Sequence, residues 1–205
     1  MLMPIRFTLI ALIGLFFAGS ALASPESEAF VQQNAELVLE ALGDDTLTKE
    51  DRTEQFQKYM NEFSDQPRIA RFVIGKYARQ FSREDLTRYR TAFTEYSLAS
   101  YEANFDNFRG GQIEVTGSTD TKNGRYSIVK SLVTSRDGDT LEARWRLLIK
   151  DGKFQVVDVG LNIDGNLLWL AIEQRAQLLA VLDRNNGSAD ALIAKLDELT
   201  SGLES

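Results

Sequence analysis

The sequence predicts an α+β fold: N-terminal helices, a curved antiparallel four-stranded sheet, then C-terminal helices, together enclosing an apolar cavity. Three observations carry this. Apolar residues recur at helical spacing as far as Phe105. After Gly110-Gly111 the period falls to two, with Asn123-Gly124, Asp137-Gly138 and Asp151-Gly152 between the runs; such dipeptides favour tight hairpins. After Asp164-Gly165 the helical period returns. Helices and strands segregated along a chain indicate α+β rather than alternating α/β. A curved sheet with helices across its mouth can enclose a cavity.

The elements follow in order. Ser24-Pro25 supplies a cap and a proline at the first helical position, and Phe30, Val31, Leu37, Val38 and Leu42 continue a helix that stops at Gly43. Thr48 caps a second helix bearing Phe56, Tyr59, Met60 and Phe63. Asp65 caps a third, which carries Ile69, Phe72, Val73, Tyr77 and Phe81. Ser82 caps a fourth and longest helix, with Glu84 and Asp85 at its positive end. Its stripe runs Leu86, Tyr89, Phe93, Tyr96, Leu98, Tyr101, Phe105. Strands are expected at Gln112–Ser118, Arg125–Ser135, Thr140–Lys150 and Lys153–Ile163. Strict alternation puts Leu141, Ala143, Trp145, Leu147 and Ile149 on one face of the third. It puts Gln155, Val157, Val159, Leu161 and Ile163 on one face of the fourth, with Phe154, Val156 and Asp158 opposite. A helix over roughly Asn166–Asp183 stops at Gly187, and Ser188 caps a last helix through Leu199.

Residues 1–23 read as an export leader: Arg6, the apolar run Phe7–Ala18, and Ala21-Leu22-Ala23 as the cleavage site. The run is too short to span a membrane. Cleavage leaves one domain, residues 24–205, with Ser24 first. The whole chain of 205 residues carries a net charge of −7, which becomes −8 when Arg6 leaves with the leader. An acidic chain with no basic run is a poor ligand for nucleic acid. The absence of cysteine leaves packing to hold the fold, and a disulfide-free exported domain points to a bacterial periplasm.

The absence of histidine as well removes the familiar nucleophilic triads and most zinc sites. No phosphate loop, dinucleotide fingerprint or nucleophile elbow occurs. Asp137-Gly138-Asp139 reads as a hairpin turn rather than a calcium loop, and Asn186-Gly187-Ser188 as a helix stop and cap. The expectation is therefore no catalytic residue, no metal and no cofactor. Asp158, set among strand hydrophobics, is the one carboxylate to inspect for a raised pKa. It keeps open a rival reading: an exported small-molecule enzyme on a cone-shaped sheet with a carboxylate base. A second rival is an envelope scaffold with a solid core.

Three stretches carry a resemblance. The first is Arg68–Tyr77 followed by the Ser82-capped helix with Tyr89–Tyr101. The second runs from Ala143-Arg144-Trp145-Arg146 through Phe154–Val159. The third is Asn162–Leu168, then Arg175, Asp183–Gly187 and Asp190–Leu196. In order and spacing they resemble the MlaC family, the toluene-tolerance auxiliary proteins that bind phospholipid in the periplasm. The turn Asn166–Leu170 is more apolar than is usual in that family, which keeps its hopanoid-associated branch in view. The resemblance implies a monomeric carrier with phospholipid as cargo. Its implied partners are an outer-membrane lipoprotein complex and an inner-membrane ABC transporter with an MCE-domain subunit. The acyl chains are expected between two walls. The sheet wall is Trp145, Leu147, Val157, Val159 and Leu161; the helix wall is Phe72, Val73, Tyr77, Phe93, Tyr96, Leu168 and Ile172.

Overall fold

The structure is a computed structural model describing residues 24–105, 108–121 and 123–203. The predicted leader, residues 1–23, lies outside the described residues. Helix α1 (Pro25–Gly43) starts where Ser24 Oγ accepts the amide of Ser27. Helix α2 (Lys49–Phe63) is capped by Thr48 and α3 (Gln66–Ile74) by Asp65, as their sequences require. Ser82 and Asp85 cap α4 (Arg83–Phe105) reciprocally: Ser82 Oγ accepts the Asp85 amide at 3.0 Å and donates to its carboxylate at 2.7 Å. Helix α3 ends earlier than expected. Gly75 has φ +50°, and the chain continues as a 3-10 turn over Gly75–Arg79. The Arg175 guanidinium fills the place a Cβ would take there, 2.6 Å from it.

The sheet has five strands, not four. Strands β1 (Gln112–Asp120), β2 (Tyr126–Thr134), β3 (Thr140–Lys150), β4 (Lys153–Ile163) and β5 (Asn166–Trp169) form an antiparallel meander in sequence order. Asp164 (φ 51°) and Gly165 (φ 81°) make a tight hairpin turn, so Asn166–Trp169 pairs back along β4 instead of opening a helix. Short apolar runs such as Leu167-Leu168-Trp169 serve either state. Helix α5 (Leu170–Arg184) begins after the strand, and α6 (Ala189–Leu203) follows.

A bulge corrects the predicted faces of β4. Arg146 pairs with Asp158 while Leu147 pairs with Val156, which leaves Val157 without an opposite residue. The alternation therefore slips. Phe154 and Val156 join Val159 and Leu161 on the inner face, packed with Leu147. Val157 faces outward beside Asp158 and Arg146.

Two main cores result. Helix α1 lies on the inner face of the sheet, where Val31, Ala35 and Leu39, four residues apart, meet Ile113, Val129, Val133, Ala143 and Leu161. Ser27 Oγ and Ser127 Oγ, both buried, hydrogen-bond at 3.0 Å and fix that seating. The second core is helical. It packs Val73, Tyr89, Phe93, Leu178, Leu182 and Leu196 from α3 to α6. Tyr89 donates to the Ala70 carbonyl at 2.9 Å, and burial pushes its phenol well above the ordinary value.

Candidate functional site

An apolar cavity of about 90 Å³ lies between α1, α2 and the inner face of the sheet. Val31, Ala35 and Leu39 of α1 form one wall, Phe56, Met60 and Phe63 of α2 another, and Trp145, Val156 and Val159 the floor. Leu42 and Phe56 of its lining pack against Leu98 of α4. Near the Ser64–Val156 bridge, the Phe30 ring meets Phe63 at 6.5 Å and Phe154 at 5.6 Å, so one residue of α1 touches both α2 and β4.

The polar groups of this wall are directed away from the void. Asn34 donates to the Phe30 carbonyl at 2.7 Å. Ser64 Oγ donates to the Met60 carbonyl and accepts from Gln66 Nε2. Trp145 Nε1, the indole's one polar atom, donates to Ser131 Oγ at 2.9 Å. Burial pushes the Tyr101 phenol above its usual value, and the nearby Asp158 charge adds to the shift. A buried water needs about 10–15 Å³ for its centre and two to four polar partners. This void has the room but not the partners. Its chemistry suits hydrocarbon.

The structure distributes the twelve expected contact residues widely. Trp145 and Val159 line the cavity. Leu147 and Leu161 sit in the adjoining sheet core without reaching the void. Val73, Tyr77, Phe93 and Tyr96 belong to the helical core. Phe72 and Val157 line a separate, open cleft on the outer side of the sheet, and Leu168 and Ile172 are exposed. At this cavity the wall that faces the sheet comes from α1 and α2 rather than from the expected helix residues. Periodicity names a helix's apolar face; it does not name the sheet face that the helix covers.

A family model described as MlaC protein matches residues 32–198. The chain belongs to the MlaC family. Among solved structures, the MlaC-family chain is similar to a phospholipid-binding protein from Ralstonia solanacearum, in complex with a phospholipid. The two share 19% identity and superpose with a TM-score of 0.73, over 87% of this chain and 98% of that one. At that identity the likeness shows a common fold. No curated protein matches this MlaC-family sequence. Among the described residues no helix is long and apolar enough to cross a membrane, and no three acidic residues gather as a metal site.

Asp158 lies elsewhere in this MlaC-family fold, and its two oxygens are engaged. Oδ1 accepts the Ala171 amide at 2.9 Å, in the first turn of α5, whose own N-cap position holds Trp169 and makes no side-chain cap. Oδ2 accepts from Arg146 at 3.2 Å, and that guanidinium stacks 3.9 Å from the Trp169 ring. The carboxylate thus pins the start of α5 to β3 and β4. Burial pushes its pKa above the ordinary 3.8, with the Ala171 amide and Arg146 pulling it partly back. A raised folded pKa means the fold favours the neutral acid. That contribution is whole below the unfolded value and is lost as pH rises through the folded one. Asp158→Asn removes the titration. The stability of wild type minus that of Asp158→Asn, from urea unfolding, should fall as pH climbs through and above the carboxylate range. A difference that grows with pH would mean that pairing with Arg146 outweighs burial.

Proposed function

We propose that this protein is a periplasmic phospholipid carrier that holds acyl chains between α1, α2 and the inner face of the sheet. The supporting observation is the void of about 90 Å³ whose wall is apolar and whose few polar groups are satisfied by the protein itself. The related Ralstonia solanacearum protein, in complex with a phospholipid, supports the class of ligand. Exposing acyl chains to water costs ~0.8 kcal/mol per CH₂. A lipid with roughly thirty methylenes therefore needs a dry host worth on the order of 20 kcal/mol to leave a bilayer. No nucleophile, metal or redox group is required for that task.

The cavity is far too small for two acyl chains, so loading separates its walls. Helix α2 is the wall that yields. It buries one residue, Phe56, and its C-terminal end is tied through Ser64 and Asp65 to Val156, where the Asp65 amide donates to the Val156 carbonyl at 3.0 Å. Swinging α2 about that tie separates Phe63 from Phe30 and opens the face of Phe30, Trp145 and Val159. The head group then remains at the rim, in water.

The leader at residues 1–23 delivers the chain to the periplasm. There it acts as a monomer between an outer-membrane lipoprotein complex and an inner-membrane ABC transporter with its MCE-domain subunit. Native mass spectrometry of protein expressed with its leader and isolated from the periplasm tests both halves of this reading. The chain mass should correspond to a start at or next to Ser24, and a population should carry one added phospholipid mass. Protein with an intact leader, or free of lipid from every host, would count against export or cargo respectively.

A further inference from the structure

The outer side of the sheet carries a second concavity of a different kind. A cleft of about 880 Å³ opens between α3, the 3-10 turn, α4 and the outward residues of β2, β3 and β4. Five arginines line it: Arg68, Arg71, Arg79, Arg90 and Arg146. Two are neutralised, Arg68 by Asp65 at 2.9 Å and Arg146 by Asp158 at 3.2 Å. Arg71, Arg79 and Arg90 are exposed and make no ion pair or hydrogen bond among the described residues. A chain of net charge −7 thus concentrates three uncompensated cations in one cleft. Apolar groups lie between them: Phe72, 44% exposed, with Tyr126, Ile128 and Val157.

We infer that this cleft is a docking site for a protein partner, and that the partner presents an acidic segment with at least one large apolar side chain. Charge complementarity selects the sign. An acidic partner is repelled by the negative net charge of the chain and attracted to this cleft, which orients the encounter. Arginine beside an exposed aromatic ring is the composition of interface hot spots. Shape selects a polypeptide over a bilayer, because a flat lipid surface cannot enter a cleft walled by helices on one side and strands on the other. The cargo is not the occupant either: the apolar cavity lies on the opposite face of the sheet, and five arginines make no dry host for acyl chains. The assignment therefore stands on the cleft and does not depend on the lipid reading.

The test uses the mature protein and a fluorescein-labelled peptide of repeated Glu-Asp-Phe units, followed by fluorescence anisotropy. Wild type should bind it saturably. Raising ionic strength to 0.15 M, where the screening length shrinks to about 8 Å, should weaken binding. Arg71→Glu, Arg79→Glu and Arg90→Glu together should weaken it about tenfold or more. Reversing exposed Lys58, Lys150 and Lys153 to Glu changes net charge equally and should leave affinity within about twofold. Absence of saturable binding overturns the inference, as does equal loss in the two triple variants, which would report bulk charge. So would arginine-dependent binding to phosphatidylglycerol vesicles without peptide binding, which would make the face a membrane contact. Co-purified lipid, measured on the same arginine variant, should be unchanged; its loss would merge the cleft with the cargo site and refute a separate docking surface.

Discussion

Val159→Trp should remove most of the lipid that co-purifies with the protein while leaving the fold intact. Val159 stands in the floor of the apolar cavity, opposite α1 and α2. An indole there occupies the space that acyl chains need, and part of its bulk enters a void that already exists. Leu147→Trp, two strand positions from Trp145, is the matched contrast. Leu147 is fully buried and does not reach the void, so its ring has nowhere to go and overpacking costs ~1–3 kcal/mol or more. Lipid per protein and the urea midpoint should be read on the same samples. Unchanged lipid in Val159→Trp would remove this floor from the binding site.

Phe93→Ala should produce the opposite pattern. Phe93 is fully buried among α3, α4, α5 and α6, with its ring 5.7 Å from that of Tyr89. Truncating a buried phenylalanine costs ~3–5 kcal/mol, a large share of the ~5–15 kcal/mol that holds a typical domain together. The folded fraction should keep its full complement of lipid, because this core does not border the cavity. Lipid loss with little change in stability would instead place Phe93 at the cargo.

How far the sequence could be read is clear at Ser82 and at Val157. Caps and turns act locally, so Ser24, Thr48, Asp65 and Ser82 disclosed the starts of four helices, and Asp151-Gly152 the turn between β3 and β4. Asp164-Gly165 was an equally good turn, but what followed it was ambiguous, and β5 was hidden in an apolar run that also suits a helix. The bulge at Val157 left no mark, since Val156 and Val157 are alike and either could face in. The cavity was the least legible part. Trp145 and Val159 of the expected sheet wall line the cavity because the inner face of β3 is regular and the slip in β4 ends before Val159. The opposing wall depended on which helices cross that face, a tertiary fact. Helix α4 has the richest aromatic stripe, yet Tyr89, Phe93 and Tyr96 are spent on the helical core with α3, α5 and α6. Helix α1 covers the inner face of the sheet, and α2 closes over the cavity beside it. Asp158 shows the same limit: a carboxylate among hydrophobics reads as a candidate base, and only the fold reveals it as the tether for the first turn of α5.

The location of the acyl chains decides the central claim. A phosphatidylethanolamine with a diazirine near the end of one chain should be loaded onto the protein, photolysed, and its attachment sites mapped by peptide mass spectrometry. Labels should fall on the cavity walls: Val31 to Leu42 of α1, Phe56 to Phe63 of α2, and the floor at Trp145, Val156 and Val159. Labels concentrated on Ile69 to Tyr96 of the helical core, or on Phe72, Ile128 and Val157 of the outer cleft, would contradict it.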